Sequence, residues 1–104
     1  MLPENILPLL GLARRAGKIV IGYDAVRRVV REHGREILLI FAEDVAAAAR
    51  RRVLYGAVEV RQLTAATKQE WGKYWGRPEV GVFAVTDKNF AQGIFDKAGA
   101  AQDE

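Results

Sequence analysis

Cysteine and serine are absent from the 104-residue chain, and histidine occurs only once. Without cysteine, the sequence excludes disulfide scaffolds, thiol catalysis and zinc-finger folds. His33 has no serine or cysteine nucleophile to activate, which excludes the usual hydrolase pairs. The longest uninterrupted apolar run, Ile37 to Ala42, is far shorter than the ~20 residues of a membrane-spanning helix. We therefore expect a protein that is not an enzyme, needs no cofactor and has no membrane partner.

Residues 1–11 are apolar but lack the positive segment that begins a signal peptide, which favours a cytoplasmic location. A chain of this length can bury more than ~60% of its unfolded surface in one core. The sequence contains no repeat, linker or low-complexity tract. We expect a single domain at residues 1–99, a frayed tail at residues 100–104, and a monomer.

Apolar periodicity predicts helices that alternate with strands. The predicted helices cover residues 5–16, 25–33, 44–55, 67–74 and a segment after residue 87, and the predicted strands cover residues 18–21, 37–41, 58–63 and 80–85. Asp44 is a suitable N-cap for the third helix and either Thr86 or Asp87 for the last, and Thr67 begins the fourth helix. This order indicates an α/β protein, a single-domain three-layer α/β/α sandwich with a central mixed sheet.

Positive charge is concentrated at the front of the chain. Residues 1–35 hold seven basic and three acidic side chains, a net charge of +4, whereas the remainder sums to −1. Six of these cations are candidate phosphate contacts, namely Arg14, Arg15, Lys18, Arg27, Arg28 and Arg31. Asp24 and Glu32 are spaced to pair with arginines of the second helix, but two acids cannot neutralise six cations. The distribution favours a polyanionic partner such as RNA, with ordinary local ion pairs as the alternative.

Two tryptophans occur where the fourth helix ends and a loop begins. Trp71 and Trp75 are four residues apart, a spacing that is typical of one buried helix face. Trp75 and Arg77 also border a Gly- and Pro-containing loop, where an aromatic plane and a guanidinium could contact unpaired bases. We predict that Trp71 lies in the core, whereas the core and the RNA surface remain equal alternatives for Trp75 and Arg77.

Three other motifs have structural explanations. Gly11 to Lys18 resembles a phosphate-binding loop, but its glycines are wrongly spaced and Ile19 replaces the magnesium-binding hydroxyl residue. The Glu43-Asp44 pair suits the first turn of a helix, and the Arg50 to Arg52 run suits a last turn and a solvated face. None of the three predicts catalysis.

Four segments in this order resemble the ribosomal protein family that includes the large-subunit proteins seven-Ae and thirty-e, in particular its short bacterial YlxQ-like members. The segments are LLGLARRAGKIVIGYDAV, LLIFAEDV, TKQEWGK and GRPEVGVFAVTDKNFA. Each is short, but together they span nearly the whole chain. The resemblance implies an α/β/α sandwich that binds structured RNA without catalysis, often at a kink-turn, a sharply bent internal loop with tandem sheared G·A pairs.

The resemblance also implies where RNA would bind. The family's RNA surface comprises the glycine-led start of the second helix, an acid after the central strand and a loop before the last strand. In this chain these positions are Gly22, Tyr23, Asp24, Ala25, Arg28, Glu43, Gly76, Arg77, Pro78, Glu79 and Val80. They overlap the positions that charge and aromatic content single out.

One departure from the family pattern concerns kink-turn recognition. Members with high kink-turn affinity carry Gly-Thr-Asn-Glu where this chain has Gly22, Tyr23, Asp24 and Ala25. The amide and carboxylate that face sheared guanines are therefore missing. We expect recognition of structured RNA, ribosomal RNA or the ribosome included, with a kink-turn or related internal loop as one form. The alternative is a ribosome-associated or regulatory protein-interaction module that retains the fold.

Overall fold

Helices and strands alternate along the chain in the computed structural model, which describes residues 1–57 and 59–102. The helices are α1 (Leu7–Arg15), α2 (Tyr23–His33), α3 (Ala47–Leu54), α4 (Lys68–Trp75) and α5 (Lys88–Gln102). The strands are β1 (Ile19–Ile21), β2 (Leu38–Phe41), β3 (Arg61–Thr64) and β4 (Val82–Val85). Short 3-10 turns precede α1 and follow α2.

The four strands form one mixed sheet in the order β1-β4-β2-β3. β4 is antiparallel to both of its neighbours, with Val20 opposite Ala84 and Leu39 opposite the same residue on the other side. β2 and β3 are parallel, with Ile40 opposite Leu63. The predicted α/β class and the mixed sheet are confirmed.

Helices cover both faces of this sheet and form two separate cores. Because successive side chains of a strand point to opposite faces, β2 divides between the cores. Leu38 and Ile40 pack in the first core with α1, α4 and α5, and Leu39 and Phe41 pack in the second core with α2 and α3. All four side chains are fully buried, as expected for a central strand that is covered on both faces. The sandwich therefore has three layers.

Side chains cap the starts of α4 and α5. Thr67 Oγ1 accepts a hydrogen bond from Glu70 N at 3.1 Å, and Glu70 Oε1 accepts one from Thr67 N at 3.0 Å. This reciprocal capping box pairs two amides that the helix itself leaves free. Asp87 Oδ1 accepts from Phe90 N at 2.9 Å at the start of α5. Of the two residues predicted to cap the last helix, Asp87 is the one that does so, and Thr67, predicted as the first residue of α4, is its N-cap.

The predicted cap of α3 is wrong. This helix follows Ala46, and no side chain of the described residues caps it. Asp44 lies too far before the first turn, and its Oδ1 instead accepts a hydrogen bond from Lys68 N at 2.8 Å. Asp44 therefore pairs the first free amide of α4 and ties that helix to the end of β2.

The element boundaries differ by a few residues from those expected. β3 begins at Arg61, and Val58, where that strand was predicted to start, lies outside the described residues. α4 includes Trp75, which the sequence placed in the loop, because Gly76 rather than Trp75 adopts the left-handed C-cap. α5 reaches Gln102, past the predicted domain end at residue 99, and residues 103–104 of the predicted tail lie outside the described residues.

Among the described residues, no helix combines the length and the apolar character that crossing a membrane requires.

Candidate nucleic-acid interface

Three segments that are distant in sequence meet at one end of the sheet. Since β4 is antiparallel to β1 and β2, its start lies where these two strands end. Gly22 N donates to Val82 O at 3.1 Å, and Ala42 N donates to Gly81 O at 2.9 Å. The start of α2, the residues after β2 and the residues before β4 are therefore neighbours. We call this region the sheet end.

The first segment of the sheet end is the start of α2. Gly22 has φ 103° and ψ 156°, a positive-φ conformation that residues with a side chain rarely adopt. Tyr23 lies over Gly81, where a Cβ would collide with the tyrosine hydroxyl and ring. Asp24 follows with an exposed carboxylate. Gly22 thus supplies the positive-φ backbone that precedes α2, and Gly81 leaves room for the Tyr23 ring.

The second segment is Glu43 with Asp44. Glu43 N donates to Ala66 O at 2.7 Å, which fixes the backbone, and the Glu43 carboxylate is exposed. Asp44 holds the start of α4 through its hydrogen bond with Lys68 N. Glu43 is therefore available to a ligand at the sheet end, whereas Asp44 has a structural role.

The third segment is the loop from Gly76 to Glu79, which folds back on α4. Gly76 has φ 76° and ψ 35°, and Arg77 N donates to Gly72 O at 2.7 Å. A Cβ on Gly72 would lie 2.6 Å from Glu79 Cα and 2.7 Å from Arg77 O, so only glycine permits this approach. Arg77, Pro78 and Glu79 are exposed. The loop is held by backbone contacts and presents its side chains to solvent.

Two of the predicted RNA contacts lie in the first core instead. Trp75 is 2% exposed and Val80 is 3% exposed. The Trp75 ring packs edge-on against Phe83, with centroids 5.1 Å apart, and Trp71 packs on the same phenylalanine at 4.7 Å. The helical spacing of the two tryptophans places both toward the sheet, so Trp75 cannot stack on a base in this conformation. Val80 can contribute through its backbone alone.

Arg14 borders this aromatic cluster. Its guanidinium lies 5.3 Å from the centroid of Trp75, a distance at which a cation is attracted to the ring face. The neighbouring Tyr74 hydroxyl donates to Leu7 O at 3.3 Å. Burial raises the pKa of Tyr74 above its usual value, and the nearby Arg14 partly offsets this effect. Arg14 is exposed next to the point where the loop leaves α4.

A row of arginines extends from the sheet end along α2. This row, the α2 stripe, consists of Arg27, Arg28 and Arg31. Across residues 1–57 and 59–102, no carboxylate lies within 4.0 Å of these guanidiniums, and Glu32 contacts His33 at 3.9 Å instead. The local ion pairs that offered an alternative explanation of the stripe are therefore not formed in the part of the chain described.

Arg15 and Lys18 lie apart from the sheet end. Lys18 O accepts a hydrogen bond from Thr86 N at 2.9 Å, which places this residue beside the end of β4. Gly22 lies at the opposite end of β1. Both cations are exposed, but the structure does not bring them together with the three segments.

Sequence reasoning missed Arg52. The sequence assigned the Arg50 to Arg52 run to one solvated face, but the three side chains have different surroundings. Arg50 donates to Thr64 Oγ1 at 3.0 Å and stacks 4.4 Å from the Phe41 ring centroid. Arg52 lines a cleft between α2 and α3. The cleft residues are Tyr23, Asp24, Arg27, Ala49, Arg52 and Val53. Only the packing of α3 beside α2 could have identified this position.

No three histidine, cysteine or acidic side chains in the described part of the chain come together as a group that could hold a metal ion. The sheet end and the α2 stripe offer instead arginine guanidiniums, a loop held by backbone contacts and the exposed carboxylates of Asp24, Glu43 and Glu79. This combination suits contacts to phosphates and to base edges.

Comparison with known proteins shows a shared fold. No model of a known protein family matches the chain, and no curated protein matches it. Matches are found among the solved structures. One is a protein with unknown function from Bacillus halodurans C, 25% identical, with a TM-score of 0.76. The alignment covers 90% of this chain and 96% of the other, so the similarity extends over the whole domain.

Proposed function

We propose that this protein is a non-catalytic RNA-binding domain that recognises structured RNA through the sheet end and the α2 stripe. The observation that carries the proposal is the convergence of Gly22 to Asp24, Glu43 and the Gly76 to Glu79 loop beside arginines that have no carboxylate partner in the described residues. The resemblance to the ribosomal seven-Ae and thirty-e family supplies the ligand class. We also propose membership of that family's short bacterial branch.

The α2 stripe and the sheet end would contact different parts of the RNA, because their side chains differ in chemistry. The α2 stripe would contact phosphates, since guanidiniums form two parallel hydrogen bonds to a phosphate. Arg77 and the backbone of its loop would contact an unpaired base at the sheet end, where Glu43 can accept a hydrogen bond from a base amino group. Because the backbone of the loop packs against Gly72, this part of the surface is preformed, which lowers the cost of binding.

A filter-binding experiment tests the proposal. The probe is a hairpin RNA with an internal loop, and poly-U of equal length is the comparison. We expect tighter binding to the hairpin and a steep loss of affinity with rising salt, because each phosphate contact releases counterions. We expect Arg28→Glu to weaken hairpin binding about tenfold.

Arg51→Glu is the matched control, since Arg51 is an exposed helical arginine outside the sheet end and the α2 stripe. Equal weakening by both reversals would mean that bulk charge alone drives binding. A flat salt response, or equal affinity for poly-U, would overturn the proposal. If the protein binds no RNA but captures a protein partner from nuclease-treated extract, the RNA-binding proposal is wrong and the protein-interaction module is the better explanation.

A further inference from the structure

The cleft between α2 and α3 has the features of a second phosphate contact. It holds about 340 Å³ and opens beside the first turn of α2. Arg27 contributes from α2 and Arg52 from α3, so two guanidiniums line a space that is also bordered by the Tyr23 side chain. The α2 helix dipole adds to the positive potential at this end of the cleft.

Arg27 is half-buried on α2. Its Nε atom is buried, and it has no hydrogen-bond acceptor among the described residues. A phosphate in the cleft would therefore contact Arg27 through the terminal nitrogens of its guanidinium and not through the buried Nε. Phosphate oxygens are suitable acceptors for guanidinium nitrogens.

The cleft holds more positive than negative charge, with Arg27 and Arg52 against Asp24. Asp24 is the one carboxylate that lines it, and in the described part of the chain it forms no ion pair within 4.0 Å with Arg27 or Arg52. Two cations therefore face one uncommitted acid at its edge. An anion bound between the arginines would compensate their charge.

We propose that this cleft binds one phosphate of an RNA backbone between Arg27 and Arg52. The inference rests on the proposed RNA-binding function and extends it from the sheet end and α2 to α3. Arg27 belongs to both the α2 stripe and the cleft, so an RNA strand that follows the stripe reaches the cleft without leaving the surface. Arg52 is then a specific contact rather than part of a solvated face.

Arg52→Gln tests the inference, with Arg51→Gln as its matched control. The two arginines are adjacent, exposed and of equal charge, but only Arg52 lines the cleft. Binding of the same hairpin RNA is measured across a salt series. We expect Arg52→Gln to weaken binding about tenfold and to lower the slope of log affinity against log salt by about 1. Arg51→Gln should change neither quantity, and Arg52→Lys should keep the slope because it retains the charge.

The results separate this inference from the function on which it rests. If the unaltered protein binds the hairpin and Arg28→Glu weakens binding, but Arg52→Gln behaves like Arg51→Gln, the cleft proposal alone is overturned. If the unaltered protein does not bind the hairpin, the RNA-binding function and the cleft proposal are both overturned. Thermal melts of the two Gln variants check that a change in the salt slope does not arise from partial unfolding.

Discussion

Trp75 and Arg77 are two residues apart, but one is in the core and the other is exposed. We expect Trp75→Ala to lower the free energy of unfolding by about 3 to 5 kcal/mol, because it leaves a cavity next to Phe83. Arg77→Ala should leave stability within about 0.5 kcal/mol and weaken RNA binding by about 1 to 3 kcal/mol. Denaturant unfolding and binding isotherms at low temperature measure both effects.

The contrast between the two variants is the internal control. A stable Trp75→Ala protein that no longer binds the hairpin would contradict the core assignment and return the ring to the RNA surface. If Arg77→Ala binds normally, the loop is not a base contact.

Asp24 and Ala25 determine how well a kink-turn can be recognised. Asp24 is exposed, and it offers only acceptors, while the methyl group of Ala25 offers nothing to a base edge. We expect weak binding to a standard kink-turn. The double change Asp24→Asn with Ala25→Glu should improve it at least tenfold, about 1.4 kcal/mol, by placing an amide donor at position 24 and a carboxylate at position 25. Titration of the kink-turn RNA measures the gain.

A fully paired hairpin provides the control for this double change, since its bases present no sheared edges and the gain should be absent. Nanomolar binding of the kink-turn by the unaltered protein, or no improvement in the double variant, would mean that recognition uses other residues.

At the scale of elements, the exposed loop depends on one glycine of α4. The Gly72 Cα faces loop backbone atoms at distances that exclude a methyl group. We expect Gly72→Ala to lower the free energy of unfolding by about 1 to 3 kcal/mol, because backbone must move, and to weaken hairpin binding by displacing Arg77. Thermal melts and binding isotherms test this.

Gly11→Ala is the control, because Gly11 is also helical and a methyl group on its Cα would meet no atom within 4 Å. Alanine there should stabilise the protein by about 0.5 to 1 kcal/mol through its higher helix propensity. Equal stabilisation by both changes would show that the loop does not pack on Gly72.

For the whole molecule, the sheet divides the positive charge of residues 1–35. α1 packs on the first core and α2 on the second core, so Arg14 and Arg15 lie on the opposite face from the α2 stripe. The stripe gains Arg52 from α3 instead. One basic surface is therefore formed by α2 and α3 together, although α3 lies outside the basic third of the sequence.

The sequence alone determined the order of the elements, the three layers and a cap for α5 at either Thr86 or Asp87. These features depend on local spacing, because apolar periodicity encodes which side chains are buried and a cap needs only a residue beside its own helix. The buried strand from Leu38 to Phe41 was predicted for the same reason.

Only the tertiary structure decided which of the candidate residues share a surface. The order β1-β4-β2-β3 brings Gly22, Glu43 and the loop before β4 to one end of the sheet. The sequence did not predict this, because local apolar periodicity shows which side chains are buried but not which strands are neighbours. Packing between α2 and α3 placed Arg52 beside Arg27. Trp75 is buried and Arg77 is exposed because α4 ends at Gly76, between them. The contacts of the loop backbone with Gly72 fix the helix end at this position.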